Sequence, residues 1–150
     1  MKILSDFKLS VDPDEVKQYL ERSESQIDTG NHKELLRLIF SLIDLTTLSE
    51  KDNVENVSRL CEKVNLLSEN FPDMPSVAAI CVYPELIAIV KDRLDNPLIS
   101  IASVGGGFPA SQTFTNIKVM EIEQAIAQGA EEIDIVMPVG KFLMHDLDYD

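Results

Sequence analysis

Val77-Ala78-Ala79-Ile80-Cys81-Val82 is an unbroken apolar run bracketed by Pro75 and Pro84. Six residues is a strand's length. Apolar side chains at both alternating positions predict a strand buried on both faces, as in a parallel sheet covered by crossover helices. Working outward, Leu98-Ile99-Ser100-Ile101-Ala102-Ser103-Val104 reads the same way and stops at Gly105-Gly106-Gly107. Ile133-Asp134-Ile135-Val136-Met137 is a fourth strand closed by Pro138, and Leu42-Ile43-Asp44-Leu45-Thr46 is a short first one.

Helical patterns separate these strands. Val54, Val57, Leu60, Cys61, Val64 and Leu67 form one apolar stripe, capped by Asp52 or Asn53. Pro84 and Glu85 open a helix to about Leu94. Thr115 is the expected cap of a helix over Asn116–Gln128, with Gly129 at the left-handed C-terminal position. Upstream, Asp12 caps a helix opened by Pro13, Arg22–Gly30 reads as a polar loop, and a second helix starts near Asn31. From residue 40 the order is β-α-β-α-β-α-β with short connections, which means βαβ units and a parallel sheet. An open doubly wound sheet and half of a (β/α) barrel both fit, and both place ligands at the carboxyl ends of the strands.

The chain has 150 residues, 45% hydrophobic and 26% charged, enough for a real core. It is too short for a closed eight-stranded barrel, which takes about 250 residues. A net charge of −13 argues against nucleic acid as a partner. Met1–Phe7 lacks a secretion-signal pattern, and no run reaches the ~18 apolar residues of a membrane span. Cys61 and Cys81 read as reduced thiols, which fits a cytoplasmic location. His32 and His145 lack ligand-like neighbours, so no metal site is expected.

Four residues carry candidate chemistry. Asp134 interrupts an apolar strand, where an ionised carboxylate costs several kcal/mol unless it is partnered. It is therefore either a proton-transfer group or a structural carboxylate. Asp44 and Thr46 share one face at the end of the first strand with Leu42, as pocket or as turn residues. Cys81 shares a face with Ala79 and Val77, near its strand's carboxyl end. Its other reading is a small apolar core residue, the reading that also fits Cys61. The triple glycine lacks the remainder of a phosphate-binding motif. Lys91, Lys118 and Lys141 fall in helix or loop contexts and read as solvated.

In order, Asp44-Leu45-Thr46-Thr47-Leu48, Ala78-Ala79-Ile80-Cys81-Val82-Tyr83-Pro84, Ile101-Ala102-Ser103-Val104 with Gly107-Phe108-Pro109, and Gly129-Ala130-Glu131-Glu132-Ile133-Asp134-Ile135-Val136 resemble deoxyribose-phosphate aldolase. The resemblance implies an α/β fold of the (β/α)8 TIM-barrel family, here the first four β/α units. Residues 37–150 would form this half-barrel and residues 1–36 an N-terminal helical extension. It also implies class I chemistry without metal or organic cofactor, cleaving 2-deoxyribose 5-phosphate to glyceraldehyde 3-phosphate and acetaldehyde in deoxyribonucleotide catabolism. In the family a lysine on the sixth strand forms a Schiff base, and a second lysine on the seventh tunes it. Asp134 matches the proton-relay aspartate. Asp44, Thr46 and Cys81 match positions near the substrate.

This sequence departs from the pattern in a third-strand loop one residue longer, and in having no match to either family lysine before Asp150. The expected partner is a sugar phosphate, with no nucleic acid and no membrane. The expectation for these 150 residues alone is no aldolase turnover. The rival is a non-catalytic half-barrel whose exposed edge strands serve binding or assembly, including homo-oligomerisation. An unrelated nucleotide-binding α/β domain is a third reading.

Overall fold

A computed structural model describes residues 11–26 and 32–144. The readings on Met1–Phe7, on the end of the polar loop at residues 27–30, on Asn31 and on His145 lie outside them.

Asp12 Oδ1 accepts the Asp14 amide at 2.9 Å and Pro13 fills the first turn of α1, Pro13–Ser25. The helix continues through Arg22–Ser25, where the polarity predicts a loop. Polarity alone does not stop a helix, and this stretch holds no glycine or proline. Helix α2, Lys33–Ser41, ends in a turn that contains Leu42 and Ile43. Strand β1 is therefore only Asp44–Thr46, and Leu42 is not on its face.

Asn53 caps α3, Val54–Asn70. Its side chain accepts the Glu55 and Asn56 amides, and the Asn56 side chain accepts the Asn53 amide in return. Asp52, the other candidate, instead accepts the Thr47 hydroxyl and the Ser49 amide, tying the β1–α3 loop. Strand β2, Ala79–Val82, is wholly buried. A 3-10 turn at Pro84–Leu86 leads into α4, Ile87–Arg93. Strand β3 is Ser100–Gly105, and α5 is Thr115–Gln128. The residue flanking α5 is Phe114, whose backbone is extended, so Thr115 is the first helical residue rather than the cap. Gly129 ends α5 with φ +114°, the left-handed residue the sequence predicts. Strand β4 is Glu132–Ile135, followed by the short α6, Val139–Leu143.

The strands pair in parallel in the order β1-β2-β3-β4. Ile80, Val82 and Ile101 project to one face and pack with Val57, Cys61 and Val64 of α3, Ile87 and Val90 of α4, and Ala125 of α5. Ala79, Cys81, Ala102 and Val104 make a second cluster on the other face, with no helical residue in it. Val77 packs with the helices and not with Cys81, because the strand starts at Ala79 and the two-residue period does not reach back to it.

Leu48, Tyr83 and Phe108, one from the loop after each of the first three strands, close over this second cluster. The Tyr83 and Phe108 rings meet edge to face, with centroids 6.0 Å apart, and the Tyr83 hydroxyl donates to the Leu48 carbonyl at 3.3 Å. Helices on one face only, with strands in sequential order, make this half of a (β/α) barrel. A doubly wound sheet reverses its strand order and carries helices on both faces. Strands β1 and β4 are the two edges.

Candidate active site on the helix-free face

Alternation along each strand puts the four candidate residues on the face that lacks helices. On β1, Leu45 packs with the helical core, so Asp44 and Thr46 turn to the opposite side. They stand in register with Ala79 and Cys81 of β2. On β4, Ile133 packs with the helical core and Asp134 faces the other way. Thr46, Cys81 and Asp134 lie toward the carboxyl ends of their strands, whereas Asp44 opens β1.

The Cys81 thiol is fully buried and donates to Asp134 Oδ2 at 3.7 Å. Burial pushes this thiol up to about 11, and the Asp134 charge and hydrogen bond push it the same way. The neighbouring Thr46 hydroxyl opposes them weakly, and the Asp44 charge adds to the rise. At neutral pH Cys81 is a neutral S–H donor and not a nucleophile. The Thr46 hydroxyl donates to the Asp44 carbonyl at 3.0 Å.

Asp44, Thr46 and Asp134 are exposed. The apolar run Ile133–Met137 predicts a buried strand. Among the described residues β4 is an edge in which only Ile133 is half-buried, and Asp134 is exposed there.

The loop after β3 is built differently from a phosphate cradle. Gly106 and Gly107 have φ +74° and +76°, and the Gly107 amide donates to Glu121 Oε2 on α5 at 2.8 Å. A donor that a nucleotide phosphate would need is already given to a carboxylate. Ser111 is buried with φ +54°, and its hydroxyl accepts from Lys118 Nζ at 2.7 Å. Lys118 is thus a half-buried partner of this loop, not a solvated lysine. Glu121 and Ser111 are absent from the sequence reading. The available signal was the three-residue spacing of Lys118 and Glu121, which puts both on one helix face below the loop. Lys141 stands in α6 rather than in a loop, and Lys91 is exposed on α4.

A cavity of about 650 Å³ opens beside this loop, lined among others by Ser111, Thr113, Thr115, Lys118, Pro138 and Lys141. None of the four candidate residues lines it. Among the described residues no lysine lies on a strand, no three metal-ligating side chains gather, and no helix is long and apolar enough to cross a membrane.

Comparison with known proteins agrees with this architecture. The sequence profile of the DeoC/LacD family aldolases matches residues 38–142. A Caenorhabditis elegans protein provisionally named a deoxyribose-phosphate aldolase is 35% identical over 139 residues, covering 90% of this chain and 45% of that protein. Mus musculus deoxyribose-phosphate aldolase is 40% identical over 107 residues, covering 65% of this chain and 34% of its own length. Among solved structures, an aldolase designated QR15 superposes with a TM-score of 0.62 at 24% identity, covering 73% of this chain and 45% of that one. The chain spans about a third to a half of the length of these proteins.

Proposed function

The chain belongs to the DeoC/LacD aldolase family, and on that premise we propose that it supplies the first four β/α units of a class I deoxyribose-phosphate aldolase. The reaction is cleavage of 2-deoxyribose 5-phosphate to glyceraldehyde 3-phosphate and acetaldehyde, in deoxyribonucleotide catabolism in the cytoplasm. Residues 37–150 are assigned to the half-barrel and 1–36 to an added helical segment; α1 buries no residue, while α2 runs across the boundary and packs Phe40 on the core. The observation that carries the reading is Asp134, a carboxylate on the helix-free face at the carboxyl end of β4, within reach of Cys81.

Schiff-base aldol cleavage must dehydrate a carbinolamine and move a proton at the carbon beside the imine. A carboxylate facing the barrel axis, connected through one water, can hold and return that proton. Asp134 is assigned this role, with Asp44, Thr46 and Cys81 lining the substrate. The imine requires a lysine amine inside the barrel. Among the described residues no lysine lies on a strand, and on this reading the 150 residues taken alone give no turnover.

Two experiments test this. Incubation of the 150-residue protein with 2-deoxyribose 5-phosphate and borohydride should trap no imine and release no acetaldehyde. Trapped imine with turnover overturns the assignment of the lysine elsewhere. A chimera joining residues 1–144 to the later half of the mouse relative should cleave the substrate. Asp134→Asn in that chimera should lower kcat by about 10²–10⁴-fold. A folded, active chimera indifferent to Asp134→Asn removes the proton-relay role.

One observation favours a second reading, a half-barrel that assembles through its edges. Strands β1 and β4 each leave a row of backbone groups unpaired by the sheet. Exposed Ile135, Met137 and Val139 follow the β4 edge. Under this reading the chain is a homo-oligomer at micromolar concentration, which size-exclusion chromatography with light scattering reads directly.

A further inference from the structure

The contact between Cys81 and Asp134 links strands that are not neighbours. Cys81 is in register with Ala102 of β3, and Asp134 with Val104 two residues further along β3. The thiol therefore reaches across β3, on the face where Ala102 and Val104 lie. Asp134 is otherwise an exposed side chain on an edge strand, and among the described residues no hydrogen bond other than the Cys81 thiol's reaches its carboxylate. An exposed aspartate with no partner distributes over its rotamers. Here one donor, itself fixed by complete burial on a central strand, holds one carboxylate oxygen.

We infer that Cys81 is the positioning residue for Asp134: its S–H binds Oδ2, sets the carboxylate's rotamer over β3, and leaves Oδ1 for a water or a substrate hydroxyl. The inference deepens the proposed aldolase reading, on which the value of a positioned Asp134 rests.

A thiol is a weak, uncharged donor, so it can orient one carboxylate oxygen without placing a second charge beside it. It must stay protonated through the working pH range, and this one does, because it is buried beside a carboxylate. The groups around it are few: Asp44 and Thr46 from β1, Asp134 from β4, Ala102 and Val104 from β3, and Leu48, Tyr83 and Phe108 from the loops that close over the cluster, of which Asp44, Asp134 and Tyr83 titrate.

Two measurements on the 150-residue protein test the pairing without reference to turnover, so a failure of the aldolase reading leaves them interpretable. The first is the Cys81 thiol titration by thiolate absorbance, in a Cys61→Ala background. Asp134→Asn should bring the thiol down from about 11 by about one unit or more, and Asp44→Asn by less. A thiol that does not move with Asp134→Asn overturns the inference, since burial alone would then set it. The second is the χ1 of Asp134 from three-bond NMR couplings. Wild type and Cys81→Ser should show one rotamer and Cys81→Ala an average of several. A single rotamer kept in Cys81→Ala also overturns it, because Cys81 would then be packing only.

Discussion

The Cys81 thiol lies 3.7 Å from Asp134 Oδ2 although a whole strand separates the residues. Neighbouring strands run about 4.8 Å apart, so the backbones of β2 and β4 are separated by nearly 10 Å in a flat sheet. Side chains standing perpendicular to such a sheet would not meet across it. Their contact requires the sheet to curl toward its helix-free face, which is the curvature of a barrel wall. The same curl brings polar groups of β1, β2 and β4 onto one concave surface.

Burial of both cysteines has a chemical consequence. Cys61 and Cys81 are fully enclosed, and both thiols are raised above their ordinary value, chiefly by burial. Iodoacetamide at pH 8 should leave both unmodified in the native protein and label both in urea, read by intact mass. The pH dependence of stability follows in sign. A thiol whose value is higher folded than unfolded keeps its proton longer in the native state, so the unfolded state loses protons first as pH rises. Stability should be at full strength below about 9 and decline between about 9 and about 11 as Cys81 titrates, read as a falling urea midpoint.

Gly107→Ala should destabilise the loop after β3. The backbone there has φ +76°, and a Cβ would meet Thr113 Cγ2 at 2.8 Å. The left-handed conformation alone costs an alanine about 1–2 kcal/mol. The clash adds to that unless Thr113 rotates away. The expected outcome is a lower urea midpoint at unchanged m-value, with the Gly107–Glu121 hydrogen bond weakened and amide exchange at Gly107 accelerated.

Asn53→Ala should cost about 1 kcal/mol, because it removes the acceptor of two amides at the start of α3. Asp52→Ala should act elsewhere, by releasing Thr47 and Ser49 in the loop between β1 and α3. Far-UV circular dichroism during urea unfolding, with amide exchange at Glu55 and Asn56, separates the two. Fast exchange at those amides belongs to Asn53→Ala alone.

The strands and helices were legible because each is a local pattern, but their order across the sheet and the single covered face were not, since a doubly wound sheet fits the same alternation. The apolar run at Val77–Val82 announced a buried strand, of which Ala79–Val82 pair, and the stripe from Val54 to Leu67 announced a packed helix. The ends were less legible. Leu42 and Ile43 are as apolar as a strand requires, yet they belong to the turn closing α2. Thr115 is a good capping residue that lies inside its helix. The candidate side chains were individually visible, but their relations were not. Whether Asp134 is buried depends on what lies beyond β4, and whether it meets Cys81 depends on sheet curvature. The pairing of Lys118 with Ser111 depends on a left-handed serine that no local pattern announces.

Ala102→Val should break the relationship between Cys81 and Asp134 while leaving both residues in place. Ala102 is 1% exposed and sits beside Cys81 on the strand the contact crosses. Two added methyl carbons would stand on the face across which the thiol reaches the carboxylate. Overpacking of a filled site costs about 1–3 kcal/mol, so the variant should fold with a lower urea midpoint. The informative measurement is a double-mutant cycle on the thiol titration. In the parent background Asp134→Asn should lower the Cys81 value, whereas in the Ala102→Val background it should have little effect. Ala102→Gly is the matching control, since it adds no atoms to that face and should preserve the full response. An equal response in both backgrounds would mean that the contact does not pass over Ala102, and that the curl of the sheet alone sets the approach of the two side chains.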